Sequence, residues 1–239
     1  MVADDVAALA SARAAVLGRI DAACGRVGRD PDGVALVAVA KTVSADRLRA
    51  AVAAGLRDLG ENRVQEAVAK AAAVPGATWH LVGPLQSNKA RRAVETFATI
   101  QTIDSVPLAR RVSGIATEAA RRPVAVLLQV NVDRDAAKAG FEPASLEADL
   151  AELLDLPALD VRGLMTVGRL VSAADAARPT FVGLRRLSEA LRSRHAALGA
   201  ELSMGMSDDF EIAVEEGATI VRVGRALFGD RPAPSPPPG

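Results

Sequence analysis

Along this chain, short apolar runs alternate with stretches of helical periodicity, and that alternation constrains the fold more than any other feature. The first run, Val34-Ala35-Leu36-Val37-Ala38-Val39-Ala40, is continuous, built of small and β-branched residues, and stops at Lys41. Runs of this kind suit strands buried on both faces, as in parallel sheets. Further short strands are predicted at 57–59, 78–82, 99–101, 124–130, 159–164, 201–203 and 219–223. Between and after them, helices are predicted at 45–54 with Ser44 as N-cap, then at 62–73, 87–96, 105–121, 144–154, 179–198 and 208–216. Repeated strand–helix units argue for a parallel sheet. Eight of them in 239 residues fit an α/β fold of a single (β/α)8 TIM-type barrel, which runs to roughly 250 residues. An extra amphipathic helix over 4–24 precedes the first strand. The alternative is an open Rossmann-like sheet, but no G-x-G-x-x-G follows any strand. No linker divides the chain, so residues 1–230 read as one domain. The Pro-rich stretch 231–239 reads as a disordered tail.

Composition narrows the function classes. The formal net charge is +0, which gives no strong pull on nucleic acid or an anionic membrane surface. Aromatic residues make up 3% and tyrosine is absent, so a base-stacking platform is not expected. No apolar run approaches the ~18 residues of a membrane span. The start, Met1-Val2-Ala3-Asp4-Asp5, lacks the basic flank of a secretory signal. Cys24 is the one cysteine, without a partner for a disulfide or neighbours for zinc. These features point to a cytoplasmic protein, and a lone barrel can stand as a monomer.

In a barrel of this kind the working end is where strands finish. The residues there are Lys41, Gly60-Glu61-Asn62, His80 with Gly83-Pro84, Thr102-Ile103-Asp104, Asn131, Met165-Thr166, Gly205-Met206-Ser207 and Gly224-Arg225. Lysine occurs only at 41, 70, 89 and 138 among 29 basic residues. Where arginine serves for generic charge, a retained lysine invites the question whether its amine is needed. Lys41 closes a hydrophobic strand, where desolvation disfavours the ammonium and frees the amine to attack an aldehyde. The bland reading is a lysine whose stem crosses the rim and whose head reaches water.

Ser207 stands in Ser203-Met204-Gly205-Met206-Ser207-Asp208-Asp209, either as a helix N-cap or as part of an anion cradle. Gly224 follows the last strand and lets backbone approach a ligand. Barrels often bind phosphate between the loops after strands 7 and 8, where both residues fall. Arg222 lies within the apolar run 219–223, so its guanidinium needs buried acceptors, from a ligand or a structural ion pair. Asn62 either caps the next helix or contacts a ligand. His80 reads as a structural histidine, His195 as solvated, Gln86-Ser87-Asn88-Lys89 as a loop with a helix cap, and Asp208-Asp209 as capping residues rather than a metal pair.

Taken together, Ala38-Val39-Ala40-Lys41-Thr42, Gly60-Glu61-Asn62-Arg63-Val64-Gln65-Glu66, the run from Trp79 to Lys89, Gly163-Leu164-Met165-Thr166, the Met-Gly-Met-Ser-Asp-Asp block and Val221-Arg222-Val223-Gly224-Arg225-Ala226-Leu227-Phe228-Gly229 carry a resemblance. Over about residues 5–230 the chain resembles the pyridoxal phosphate (PLP) homeostasis protein family. The resemblance implies a barrel like the N-terminal domain of alanine racemase. It implies PLP as cofactor, held as a Schiff base on Lys41, with its phosphate on Ser207 and the backbone around Gly224, and with Arg222 facing the pyridine nitrogen. Two positions depart from the pattern. Arg63 stands where many relatives carry Tyr, and Arg225 where Thr or Ser is usual; a backbone N–H or the Arg225 charge would then serve the phosphate.

The function expected is a role in intracellular vitamin B6 homeostasis, with apo PLP-dependent enzymes as recipients, rather than fast catalysis. A PLP-dependent racemase is the alternative. Two-base racemisation needs a second group on the opposite face of the substrate. In alanine racemases that group is a Tyr from a partner subunit, and this chain has none; Lys138 or His80 would have to substitute. An arginine at the pyridine nitrogen donates and does not accept, which leaves a poorer electron sink. A cofactor-free Schiff-base aldolase acting on a sugar phosphate is the third reading.

Overall fold

The computed structural model describes residues 2–119, 123–168 and 173–229. Strands β1 (Ala35–Val39), β2 (Asp58–Glu61), β3 (Thr78–Leu81), β4 (Thr99–Ile103), β5 (Val124–Gln129), β6 (Leu159–Met165), β7 (Glu201–Ser203) and β8 (Ile220–Val223) close a barrel in chain order. Every pairing is parallel, and β1 meets β8 in the register Val37 opposite Arg222. The expected (β/α)8 architecture and the extra N-terminal helix are both present. The expected tail at 231–239 lies outside the described residues, as do residues 120–121 of the helix expected over 105–121.

Alternation along the strands sorts side chains between two compartments. One face of each strand packs on the outer helices and builds the main core, with Ala38, Leu59, Leu81, Ile100 and Leu128 fully buried. The other face fills the barrel, where Val37, Leu127, Met165 and Ile220 form a small apolar cluster of their own. The outer ring is α2 (Ala45–Ala53), α3 (Val64–Ala71), α4 (Ala90–Thr96), α5 (Val106–Glu118), α6 (Pro143–Asp155), α7 (Arg178–Arg192), α8 (Phe210–Glu215) and the short α9 (Arg225–Phe228).

Helix α1 (Val2–Val27) buries Leu9, Val16, Ile20 and Ala23 along one stripe and lies across α2, α8 and α9. It covers the outer face of the β8–β1 seam. Arg29, just past its end, donates to the carbonyls of Val214 and Ala218. It thereby adds a side-chain donor to carbonyls at the end of α8 and in the turn that follows.

Ser44 caps α2 as expected, its hydroxyl accepting from the Arg47 amide at 3.4 Å. Three helices differ from their expected bounds for identifiable reasons. Helix α7 ends at Arg192 rather than 198 because the chain must turn back beneath β6. There a Cβ on Gly199 would come within 2.2 Å of the Arg162 carbonyl oxygen, so only glycine makes that passage. Helix α3 begins at Val64 without a side-chain cap, so Asn62 does not cap it. Helix α8 begins at Phe210, two residues later than expected, after a loop in which Asp209 accepts from the Met206 amide and does not cap the helix.

Candidate cofactor site

Lys41 stands two residues past the end of β1, after Ala40, and is half-buried. The chain kinks there: Thr42 adopts φ 66°, a left-handed conformation rare for a β-branched residue. Such strain, of order 1–3 kcal/mol, persists only where surrounding structure over-determines it. The surrounding structure does so through the Ala40 carbonyl, which accepts from the Val43 amide at 3.1 Å and from Lys70 Nζ at 3.0 Å. Lys70 reaches inward from α3 and pairs with Glu61 Oε1 at 2.5 Å. Glu61 is fully buried between barrel and helices. Burial pushes its carboxyl up from the usual range, and the hydrogen bond and charge of Lys70 oppose that push. A buried ion pair thus braces the peptide immediately before Lys41.

Across the seam, the loops after β7 and β8 meet. Ser207 Oγ accepts from the Gly224 amide at 3.3 Å and from the Ala226 amide at 3.4 Å. Both contacts are long for an N–H···O bond, so the two amides remain available to a stronger acceptor. Two backbone donors and a hydroxyl converging on one point make a donor set suited to a phosphate. The backbone at Gly224 runs close over β1: a Cβ there would sit 3.4 Å from Val39. Lys41 lies two residues beyond Val39, so the lysine and the cradle flank the same stretch of rim.

Gly205 makes the β7 loop possible. It has φ 91°, and a Cβ would come within 2.5 Å of the Ala213 side chain. Asp209 then fastens the loop, its carboxylate accepting from the Met206 amide at 2.6 Å. Of the two acidic residues, Asp209 ties the loop and Asp208 pairs with the exposed Arg225 guanidinium. Arg225 is therefore turned toward Asp208, and it is the Gly224 and Ala226 amides that engage the Ser207 hydroxyl.

Arg222 points into the barrel beneath this rim and is 4% exposed. Its Nη1 donates to Ser203 Oγ at 2.6 Å and its Nη2 to the Thr166 carbonyl at 2.7 Å. Burial brings its pKa down to about 10, with the Asp209 charge opposing. At neutral pH it stays a cation and a pure donor. A planar donor beneath the mouth, a lysine on the rim and an anion cradle beside it suit a phosphorylated aldehyde whose ring carries an acceptor nitrogen.

The remaining candidates lie elsewhere. The Asn62 backbone packs on Gly83, where a Cβ would come within 2.4 Å of the Asn62 carbonyl oxygen. Asn62 and Arg63 line a cleft of about 590 Å³ with Pro84, Gln86 and Lys89, outside the Ser207 cradle. A second cleft of about 320 Å³ includes Gln129, Asn131 and Lys138, whose Nζ donates to the Val167 carbonyl at 3.2 Å. His80 is drawn inside the barrel by Asp58 and Gln101, as a structural histidine would be. The sequence reading missed Ala226, Ser203, Gln101 and the Glu61–Lys70 pair.

Barrel, strand-end lysine, buried arginine and cradle together define a barrel of the alanine racemase N-terminal type. Residues 16–232 match the family described as "Alanine racemase, N-terminal domain". A "Pyridoxal phosphate homeostasis protein" of Pseudomonas aeruginosa is 44% identical over 221 residues, covering 91% of this chain and 94% of that protein. The protein of the same name from Escherichia coli K12 is 39% identical over 227 residues, again covering 91% and 94%. PipY of Synechococcus elongatus, solved with PLP bound, superposes with a TM-score of 0.82 at 43% identity, over 92% of this chain and 100% of that one. The chain belongs to the pyridoxal phosphate homeostasis protein family. Alanine racemase of Clostridium difficile shares the fold at 17% identity, with a TM-score of 0.67 over 91% of this chain but only 55% of its own.

Proposed function

We propose that this chain binds PLP through a Schiff base on Lys41 and serves PLP homeostasis by holding and releasing the cofactor. The observation that carries the reading is the convergence of Lys41 and the Ser207–Gly224–Ala226 cradle on one rim, above Arg222. PipY, of matching fold and 43% identity, has been solved with PLP. In this reading Ser207 and the two amides hold the phosphate, Arg222 faces the ring nitrogen, and Asn62 lies on the neighbouring β2 loop. Arg225 stands at the edge of the cradle, where its pairing with Asp208 offsets its charge and leaves the phosphate to its neighbours' amides. The cytoplasm is the compartment in which the recipients, apo PLP-dependent enzymes, would be met.

Ser207→Ala is expected to weaken PLP binding by about 1–3 kcal/mol, the scale of a hydrogen bond to a charged group. Pyridoxal without the phosphate should bind far less well than PLP. Titration by absorbance or calorimetry measures both, and equal affinity for the two vitamers would refute the cradle.

The same geometry argues against rapid racemisation. Proton removal on one face and return on the other need groups on both. Lys41 serves one face, and no tyrosine exists for the other. His80 is bound to Asp58 and Gln101 within the barrel, and Lys138 donates to a carbonyl of another loop. Turnover on D- or L-amino acids is expected to fall well below the ordinary enzyme range of roughly 1–10³ s⁻¹. A Lys41-dependent rate within that range would make the protein a racemase.

A further inference from the structure

The barrel interior contains a line of polar side chains that the cofactor contacts do not account for. Gln101 and Ser203 are fully buried beside Val37, Leu127, Met165 and Ile220, where a barrel is ordinarily filled by branched apolar residues. Burying an amide and a hydroxyl there is costly unless both are hydrogen-bonded. Both are, and the pattern has one consistent direction.

The direction follows from the two ends. Arg222 can only donate, so its Nη1 gives a hydrogen to Ser203 Oγ at 2.6 Å. The Ser203 hydroxyl then donates to Gln101 Oε1 at 2.7 Å. That fixes the Gln101 amide nitrogen toward His80 Nδ1, 3.4 Å away, which accepts. The remaining imidazole N–H, on Nε2, points to Asp58 Oδ1 at 3.2 Å, and the ionised carboxylate can only accept. Starting from a pure donor and ending at a pure acceptor, each hydrogen has one place to go. A reversed Gln101 would turn its NH2 toward Ser203 and leave the hydroxyl hydrogen without that acceptor.

We propose that Gln101 is a positioning residue for the cofactor ring: through the Ser203 hydroxyl it fixes the plane of the Arg222 guanidinium, and with it the hydrogen bond offered to the ring nitrogen. This rests on the PLP reading given above. Among the described residues, Ser203 and the Thr166 carbonyl accept from the guanidinium. The Ser203 lone pairs are correctly aimed only while its hydrogen is committed to Gln101. His80 and Asp58 serve the same end from further away, by holding the amide in one orientation.

The test compares Gln101→Leu, Ser203→Ala and Ser203→Thr, each loaded with PLP. In the first two the link is cut. The visible band of bound PLP and the pH at which it titrates are expected to shift together, with PLP binding about fivefold weaker, the scale of one neutral hydrogen bond. Borohydride should still fix the cofactor on Lys41 in both. Ser203→Thr keeps the hydroxyl and should keep the band. If Gln101→Leu does not fold, the Ser203 pair decides alone. A band that stays put in folded Gln101→Leu or Ser203→Ala protein, or that moves equally in Ser203→Ala and Ser203→Thr, overturns the proposal. A wild-type protein whose Lys41 peptide carries no borohydride-fixed cofactor would instead overturn the PLP reading, and this inference with it.

Discussion

Lys41→Ala is expected to abolish covalent retention of PLP. Wild-type protein should carry its visible absorbance through gel filtration, and borohydride should fix the cofactor on the Lys41 peptide; the variant should emerge colourless. The argument has three parts. Lys41 is the residue at which the buried strand β1 gives out, half-buried and two positions beyond the valine on which Gly224 packs. The neutral amine is the form that attacks an aldehyde, and desolvation favours it over the ammonium. The other lysines are differently engaged: Lys70 with Glu61 and the Ala40 carbonyl, Lys138 with the Val167 carbonyl, and Lys89 beside the outer cleft. Lys41→Arg separates charge from nucleophilicity, because guanidinium keeps the cation and cannot form the bond. It should fail as completely as alanine. Residual weak binding through the phosphate cradle is expected in both variants and should wash out. Retention of the band in Lys41→Ala, with label on Lys89 or Lys138, would move the site to another lysine.

Strands β1 and β5 are legible because a strand buried on both faces has a nearly unbroken apolar run; the other six carry polar or charged residues and are legible mainly from short apolar stretches recurring between helical segments. Their ends were readable for the complementary reason: polar and glycine residues cluster where loops begin. What stayed hidden is direction across space. Ser207 reads equally well as a helix cap and as an anion ligand, since both use a hydroxyl near backbone N–H groups; only the fold shows that the amides it meets belong to Gly224 and Ala226. Arg222 drew notice as a charge inside an apolar run. Gln101, beside Ile100 and close to Ile103, carries a milder form of the same signal, because an amide in an apolar run is less costly to bury than a charge. For Lys70 the sequence offers only the scarcity of lysine. Its partner Glu61 sits nine residues away on a strand, a spacing that no helical or strand period brings together.

Lys70→Met is expected to be the most destabilising single change outside the cofactor contacts. Removing one partner of a buried ion pair costs about 3–5 kcal/mol, because the remaining charge is left uncompensated. Here that charge is the Glu61 carboxylate, fully buried, which also accepts from the Asn62 amide at 3.2 Å. For a chain of this size each kcal/mol lowers the melting temperature by about 2–4 °C. The sign of the pH dependence follows from the direction of the Glu61 shift. Its folded-state pKa already lies above the ordinary carboxylate value through burial, with Lys70 holding it down. Without Lys70 it should rise further. A carboxyl raised on folding contributes stability below its unfolded pKa, and that contribution is lost as pH rises through the folded one. The gap between variant and wild type should therefore be widest at neutral pH and above, and narrow as pH falls toward the ordinary glutamate value of about 4.3. Glu61→Leu combined with Lys70→Met should recover most of the loss, since a well-packed apolar pair can replace a buried ionic one. The double variant should still hold PLP less firmly than wild type, because the Ala40 carbonyl beside Lys41 loses its ammonium brace. Melting curves across pH for the two variants, with PLP retention measured alongside, provide the check. A loss in Lys70→Met that does not vary with pH would mean that Glu61 is not the group left exposed to the penalty.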